Sequence, residues 1–117
     1  MDIRDLVQSI LEGDLLAARE WVADARRSHV TWSEIQRPEG LDERELSVAA
    51  AVVELLAARS DEPAPAWTTN VGALREQIVL DPGLQDMPRS FARAKLEGPE
   101  PLRKRNLVAL PDFLDVA

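Results

Sequence analysis

The chain has 117 residues, 21 acidic and 14 basic side chains, a formal net charge of −7, one histidine and no cysteine. That length fits a single domain with a modest core, while the missing cysteines exclude disulfides, thiolate nucleophiles and zinc ribbons. A lone His29 cannot build a multi-histidine metal centre, and the negative charge argues against general adhesion to nucleic acid or anionic membrane.

Ile3, Leu6, Val7, Ile10 and Leu11 recur at i, i+3, i+4, i+7 and i+8, which predicts an amphipathic first helix. Gly13 suits the left-handed position that closes it, and Asp14 can cap a second helix over residues 14–28. Leu15, Ala18, Trp21, Val22 and Ala25 mark the core face of that helix, with Arg26 and Arg27 complementing the dipole in its last turn. So short a break predicts a helical hairpin.

Residues 29–40 lack helical period, and Val30, Trp32 and Ile35 read as apolar plugs from a loop. Asp42 and Glu45 form a capping-box pattern, with Leu41 and Leu46 placed as a hydrophobic staple. The helix that follows, ending near Arg59 and Ser60, is apolar around so much of its surface that a central position is expected. Its residues 48–53 are the longest apolar run and are too short to span a bilayer.

The stretch from Asp61 to Ala66 reads as a linker, because Pro63 and Pro65 hold the chain extended. Residues 67–80 lack strong helical caps. Ile78, Val79 and Leu80 read as a short strand or extended anchor closed by the Asp81, Pro82, Gly83 turn. Pro88 starts a helix over residues 88–97 that Gly98 ends, and residues 102–106 make at most a turn or two. Seven of the eight prolines follow residue 62 and break any long helix. The expectation is an all-α fold: a three-helix core over residues 1–62, then an extended, proline-punctuated segment, 63–117, carrying one or two short helices. That segment lays apolar anchors on the core or on a partner.

The charge is unevenly placed. Residues 1–62 carry 14 acidic and 7 basic groups, residues 63–117 carry 7 of each, and residues 87–106 have a local balance of +4. Such a division predicts internal attraction, or separate surfaces for separate partners.

Little in the chain points to catalysis. The pairs Asp2/Asp5 and Asp42/Glu45 sit at helix starts, where negative charge stabilises the dipole, and do not suggest the divergent environments of an acid–base pair. His29 lies at a helix end, suited to capping. No phosphate-binding glycine loop or calcium loop is present. The run Arg103, Lys104, Arg105, Asn106 can meet phosphates or an acidic protein patch, but nearby Pro99 and Pro101 fit a recognition helix poorly. We therefore expect no catalytic residue, metal or cofactor.

Three motifs carry a resemblance. Ala64 to Gly72 reads Ala-Pro-Ala-Trp-Thr-Thr-Asn-Val-Gly, Pro99 to Leu107 reads Pro-Glu-Pro-Leu-Arg-Lys-Arg-Asn-Leu, and Pro111 to Leu114 reads Pro-Asp-Phe-Leu. Residues 63–114 thereby resemble small uncharacterised bacterial proteins in which a helical N-terminal part precedes a PxW…VG segment and an RxRN-hydrophobic element. Similar tails occur in proteins that look like antitoxin partners of nucleotidyltransferase-type toxins. The Ala109, Leu110, Pro111 stretch departs from that pattern, so contacts do not transfer.

The resemblance implies a non-catalytic protein. Together with the anchors and the divided charge, it predicts a cytoplasmic, antitoxin-like or regulatory partner of a separate bacterial enzyme, acting by occlusion. Its expected partner-binding residues are Trp67, Phe91, Arg103, Lys104, Arg105, Asn106 and Phe113. The alternative is a DNA-binding autoregulator using residues 89–105. No membrane partner is expected, and the opening Met1-Asp2-Ile3-Arg4-Asp5 lacks the pattern of a signal peptide.

Overall fold

The structure, a computed structural model, describes residues 2–116. It is mostly helical. Helix α1 spans Ile3–Leu11, α2 Leu15–Arg27, α3 Glu43–Arg59, α4 Pro88–Glu97 and α5 Glu100–Arg103. Two-residue strands β1 (Ile78–Val79) and β2 (Leu107–Val108) pair in parallel, Ile78 opposite Leu107 and Val79 opposite Val108.

Local chemistry fixes the first three helices. Asp2 caps α1 by accepting from the Arg4 N–H, and Asp14 caps α2 by accepting from the Ala17 N–H. At α3 the capping box is closed on both sides. The Asp42 N–H donates to Glu45 Oε1 at 3.1 Å, and the Glu45 N–H donates to Asp42 Oδ1 at 2.8 Å.

The three helices also end alike. In each, a residue with positive φ follows the cap: Gly13 (78°), His29 (54°) and Asp61 (56°). For α2, the His29 N–H reaches the Arg26 carbonyl and the Val30 N–H reaches that of Ala25. These are the paired bonds of a Schellman motif. His29 is thus an exposed helix-terminating residue.

α1 packs on both α2 and α3, burying Ile3, Leu6, Val7 and Ile10. From Ser47 to Ala57 every residue of α3 is buried, so this helix is covered on all sides. The main apolar cluster is not confined to residues 1–62. It also takes in Leu80, Leu102, Leu107, Ala109, Phe113 and Leu114.

The second part of the chain is held by specific close contacts. Trp67 lies in a 3-10 turn over Ala66–Asn70, where proline-imposed extension gives way to local curvature. Gly98 meets the Ala109 carbonyl so closely that a Cβ there would lie 2.5 Å from its oxygen, and this approach brings α4 against β2. The expected extended anchor at 78–80 is strand over Ile78–Val79. Its partner β2 was not predicted, because a two-residue parallel pairing leaves no periodic pattern.

Candidate functional site

Glu54 is the one charged residue inside the buried stretch of α3. A lone buried carboxylate is strongly disfavoured, so its environment must neutralise it. Arg105 does so. Following α5, its guanidinium is 2% exposed and lies flat against the carboxylate, Nη1 donating to Oε1 at 2.9 Å and Nη2 to Oε2 at 2.8 Å. The remaining donors are also used. Nη1 reaches the Pro101 carbonyl at 2.9 Å, Nη2 that of Thr68 at 2.9 Å, and Nε that of Val71 at 3.1 Å. All five N–H groups of the guanidinium therefore find acceptors.

Lys104 adds a second cation, its Nζ 2.9 Å from Glu54 Oε1 at the surface. Burial alone would raise the Glu54 pKa. The hydrogen bonds from Arg105 and Lys104 outweigh it, with a smaller contribution from Thr68, and hold the carboxyl at about 2. The next residue, Asn106, has φ of 66°. Its amide donates to the Leu74 carbonyl at 3.2 Å, while its own carbonyl accepts from the Ile78 N–H at 3.1 Å. This joins the basic run to the start of β1.

The motif residues thus meet one another. The carbonyls of Thr68 and Val71 come from the Pro-Ala-Trp-Thr-Thr-Asn-Val-Gly segment, and the guanidinium that gathers them comes from the Arg-Lys-Arg-Asn element. Their shared purpose in this fold is to fasten residues 66–106 onto α3.

That placement corrects several expected partner contacts. Arg105 offers a partner nothing, because all its donors are engaged inside the chain. Phe113 is 2% exposed and packed in the chain's own core, since its apolar area is better removed from water in cis than left exposed. Asn106 is half-buried and engaged with the main chain. Trp67 is half-buried, its indole Nε1 donating to the Ile35 carbonyl at 2.8 Å. Lys104 is partly exposed but paired with Glu54. Arg103 is exposed, with Nε on the Gly98 carbonyl. Phe91 is half-buried against a small second cluster of Leu84, Ala94 and Val108, and the Lys95 ammonium lies 5.7 Å from its ring centroid.

A second feature went unread in the sequence. In α4 only Ala94 has a fully buried side chain. Arg89, Ala92, Arg93 and Leu96 are all exposed and recur at i, i+3, i+4 and i+7, which places them on one helix face. Leu96 is 77% exposed, and Met87 just before the helix is 47% exposed. The signal was present as a helical stripe of alternating cation and apolar residue. It differs from a core stripe only in what lies opposite it.

Asp81 is the other perturbed carboxyl away from the surface. Burial pushes its pKa up against the opposing hydrogen bond from the Leu110 N–H, which it accepts at 2.8 Å. That carboxylate is committed to holding the main chain. Among the described residues, no three His, Asp or Glu side chains converge as metal ligands, and no helix is long and apolar enough to cross a membrane. Comparison of the chain with protein families, with characterised proteins and with solved structures gives no match.

Proposed function

We propose that this is a non-catalytic binding protein, an antitoxin-like or regulatory partner of a separate bacterial enzyme in the cytoplasm, and that it acts by covering a functional surface of that enzyme. The observation that carries this reading is the exposed face of α4. Leu96 and Met87 supply apolar contact area, and the exposed Arg89 flanks it with positive charge beside Arg93, which is paired with Glu97. Such a face fits an acidic protein patch with an apolar centre. The leucine would anchor the contact and the arginines would speed and orient the encounter. Phe91 and Lys95 stiffen the same helix from its other side.

The DNA-binding alternative has less to work with. Arg105 is internal, Lys104 is paired with Glu54, and Arg93 is paired with Glu97 at 2.8 Å. The deciding experiment is affinity capture from the cell of origin, with the unmodified chain and with Leu96→Asp side by side. The expected result is an enzyme recovered by the first and lost, by on the order of tenfold or more, with the second, whose activity is inhibited by the unmodified chain alone. Recovery of the same protein by both chains, or of none by either, would overturn the reading.

A further inference from the structure

Residues 111–116 are attached to the rest of the molecule in an unusual way. Their main-chain hydrogen bonds are local: the Phe113 N–H donates to the Leu110 carbonyl and the Asp115 N–H to that of Asp112. The segment therefore makes its own turn and joins no helix or strand of the body through main-chain pairing. What fastens it is a pair of arginines from the body. Arg59 at the end of α3 donates from Nη1 to the Phe113 carbonyl at 2.6 Å and from Nη2 to the Pro111 carbonyl at 3.2 Å. Arg26 at the end of α2 donates from Nη1 to the Val116 carbonyl at 2.8 Å. Between these clamps Phe113 and Leu114 are buried.

This arrangement is peptide recognition. Guanidinium groups meet main-chain oxygens, two apolar side chains fill the slot, and burial lowers the Arg59 pKa while the nearby Asp115 and Asp112 oppose that shift. Nothing in those contacts requires the peptide and the groove to belong to one chain. Leu114 holds a φ of 58°, a left-handed conformation unfavourable for a leucine. Undocking relieves that strain, so the docked state is less favoured than its buried area implies. The groove is also incompletely filled: a cavity of about 540 Å³ remains between Val22, Trp32 and Ser60 on the body and Asp115 and Val116 on the segment. Immediately before the segment, the chain is tied by the bond from the Leu110 N–H to Asp81, by the β1–β2 pairing and by the close approach of Ala109 to Gly98.

We propose that the groove between α2 and α3 is a docking site for residues 111–116 of a second copy of this chain, so that two chains associate by exchanging the segment. The second copy is the occupant because it presents the one peptide whose fit is seen. Its carbonyls meet Arg26 and Arg59, its aspartates complement Arg59, and its turn is closed by hydrogen bonds of its own. Exchange of identical segments closes with two-fold symmetry and adds no interface that the single chain lacks. The inference is independent of the α4 reading and uses none of its residues.

The chain contains no cysteine, which makes a clean test available. In the full-length double variant Ser60→Cys, Val116→Cys, the new thiols line the same cavity. Isotopically heavy and light preparations are mixed, equilibrated at low and at high concentration, oxidised and mapped by mass spectrometry. The expected result is heavy–light linkage between positions 60 and 116, with a share that rises with concentration. Adding Arg59→Ala should lower that share at least tenfold while the helical circular dichroism is retained. If linkage is intrachain at every concentration, exchange does not occur. If heavy–light links join 60 to 60 or 116 to 116 alone, the chains associate through another face. Either result overturns the proposal. Should Arg59→Ala fail to fold, the concentration dependence of the 60–116 linkage in the double variant still decides the matter.

Discussion

Arg105 and Glu54 show how a pair of residues sets the tolerance of the whole fold. With five donors placed on two carboxylate oxygens and three carbonyls, removal of either partner strands buried charge. Arg105→Met should therefore destabilise the protein by about 3–5 kcal/mol, as breaking one side of a buried ion pair does. Arg105→Lys also fails to restore stability, because an ammonium carries three donors without the planar fork. Acid provides a separate handle. The Glu54 carboxyl is held at about 2 in the folded chain against an ordinary value of 4.5. Its contribution is thus fully present above pH 4.5 and lost as pH falls from there toward 2, a decrement of about 2–3 kcal/mol. Urea unfolding across pH 2–6 checks this. Glu54→Gln should flatten that part of the profile, and an unchanged acid limb would remove the assignment. Glu54 was visible in the sequence as the charge inside an apolar helix, but Arg105 looked like one of three equivalent cations. Only its arrival beside α3 separates it from Arg103 and Lys104.

At the level of elements, the ends of the helices matter as much as their faces. His29 and Asp61 occupy the left-handed position that Gly13 fills at the end of α1, and a side chain there is conformationally unfavourable. His29→Gly should stabilise the protein by about 0.5–1 kcal/mol, because the native φ is already one that glycine adopts freely. A rise of a few degrees in Tm checks it. A fall would show that the exposed imidazole makes a contact of its own. These boundaries were legible because they are local: Asp42 with Glu45, Asp14 and Gly13 act within one turn of chain. β2 was not legible, since Leu107 and Val108 become strand only by meeting Ile78 and Val79 across 29 positions. The exposed face of α4 was hidden for a related reason. Periodicity marks a stripe but does not say whether protein or solvent covers it.

For the molecule as a whole, the linker at residues 61–66 is a boundary in composition and not in packing. The apolar cluster runs across it, the Glu54–Arg105 clasp spans it, and the radius of gyration of 13.2 Å is that of one compact domain of this length. Unfolding should therefore be a single cooperative transition, with calorimetric and van't Hoff enthalpies equal. Two resolved transitions in a calorimeter would show that residues 1–62 hold together alone. The uneven charge has a matching explanation: part of the basic run turns inward to neutralise an acidic group of the first half, and the remainder is left on α4 and Arg103. Most of the residues in the Pro-Ala-Trp and Arg-Lys-Arg-Asn motifs are used by the fold to close itself.

The clasp has a further consequence during synthesis. Glu54 and Arg105 lie 51 residues apart. At translation rates on the order of 5–20 residues per second, roughly 3–10 seconds separate their appearance. Throughout that interval α3 carries an unneutralised carboxylate in the middle of its most apolar stretch, which favours keeping the helix hydrated over burying it against α1 and α2. Burying that carboxylate before Arg105 has been made costs free energy that the completed clasp removes.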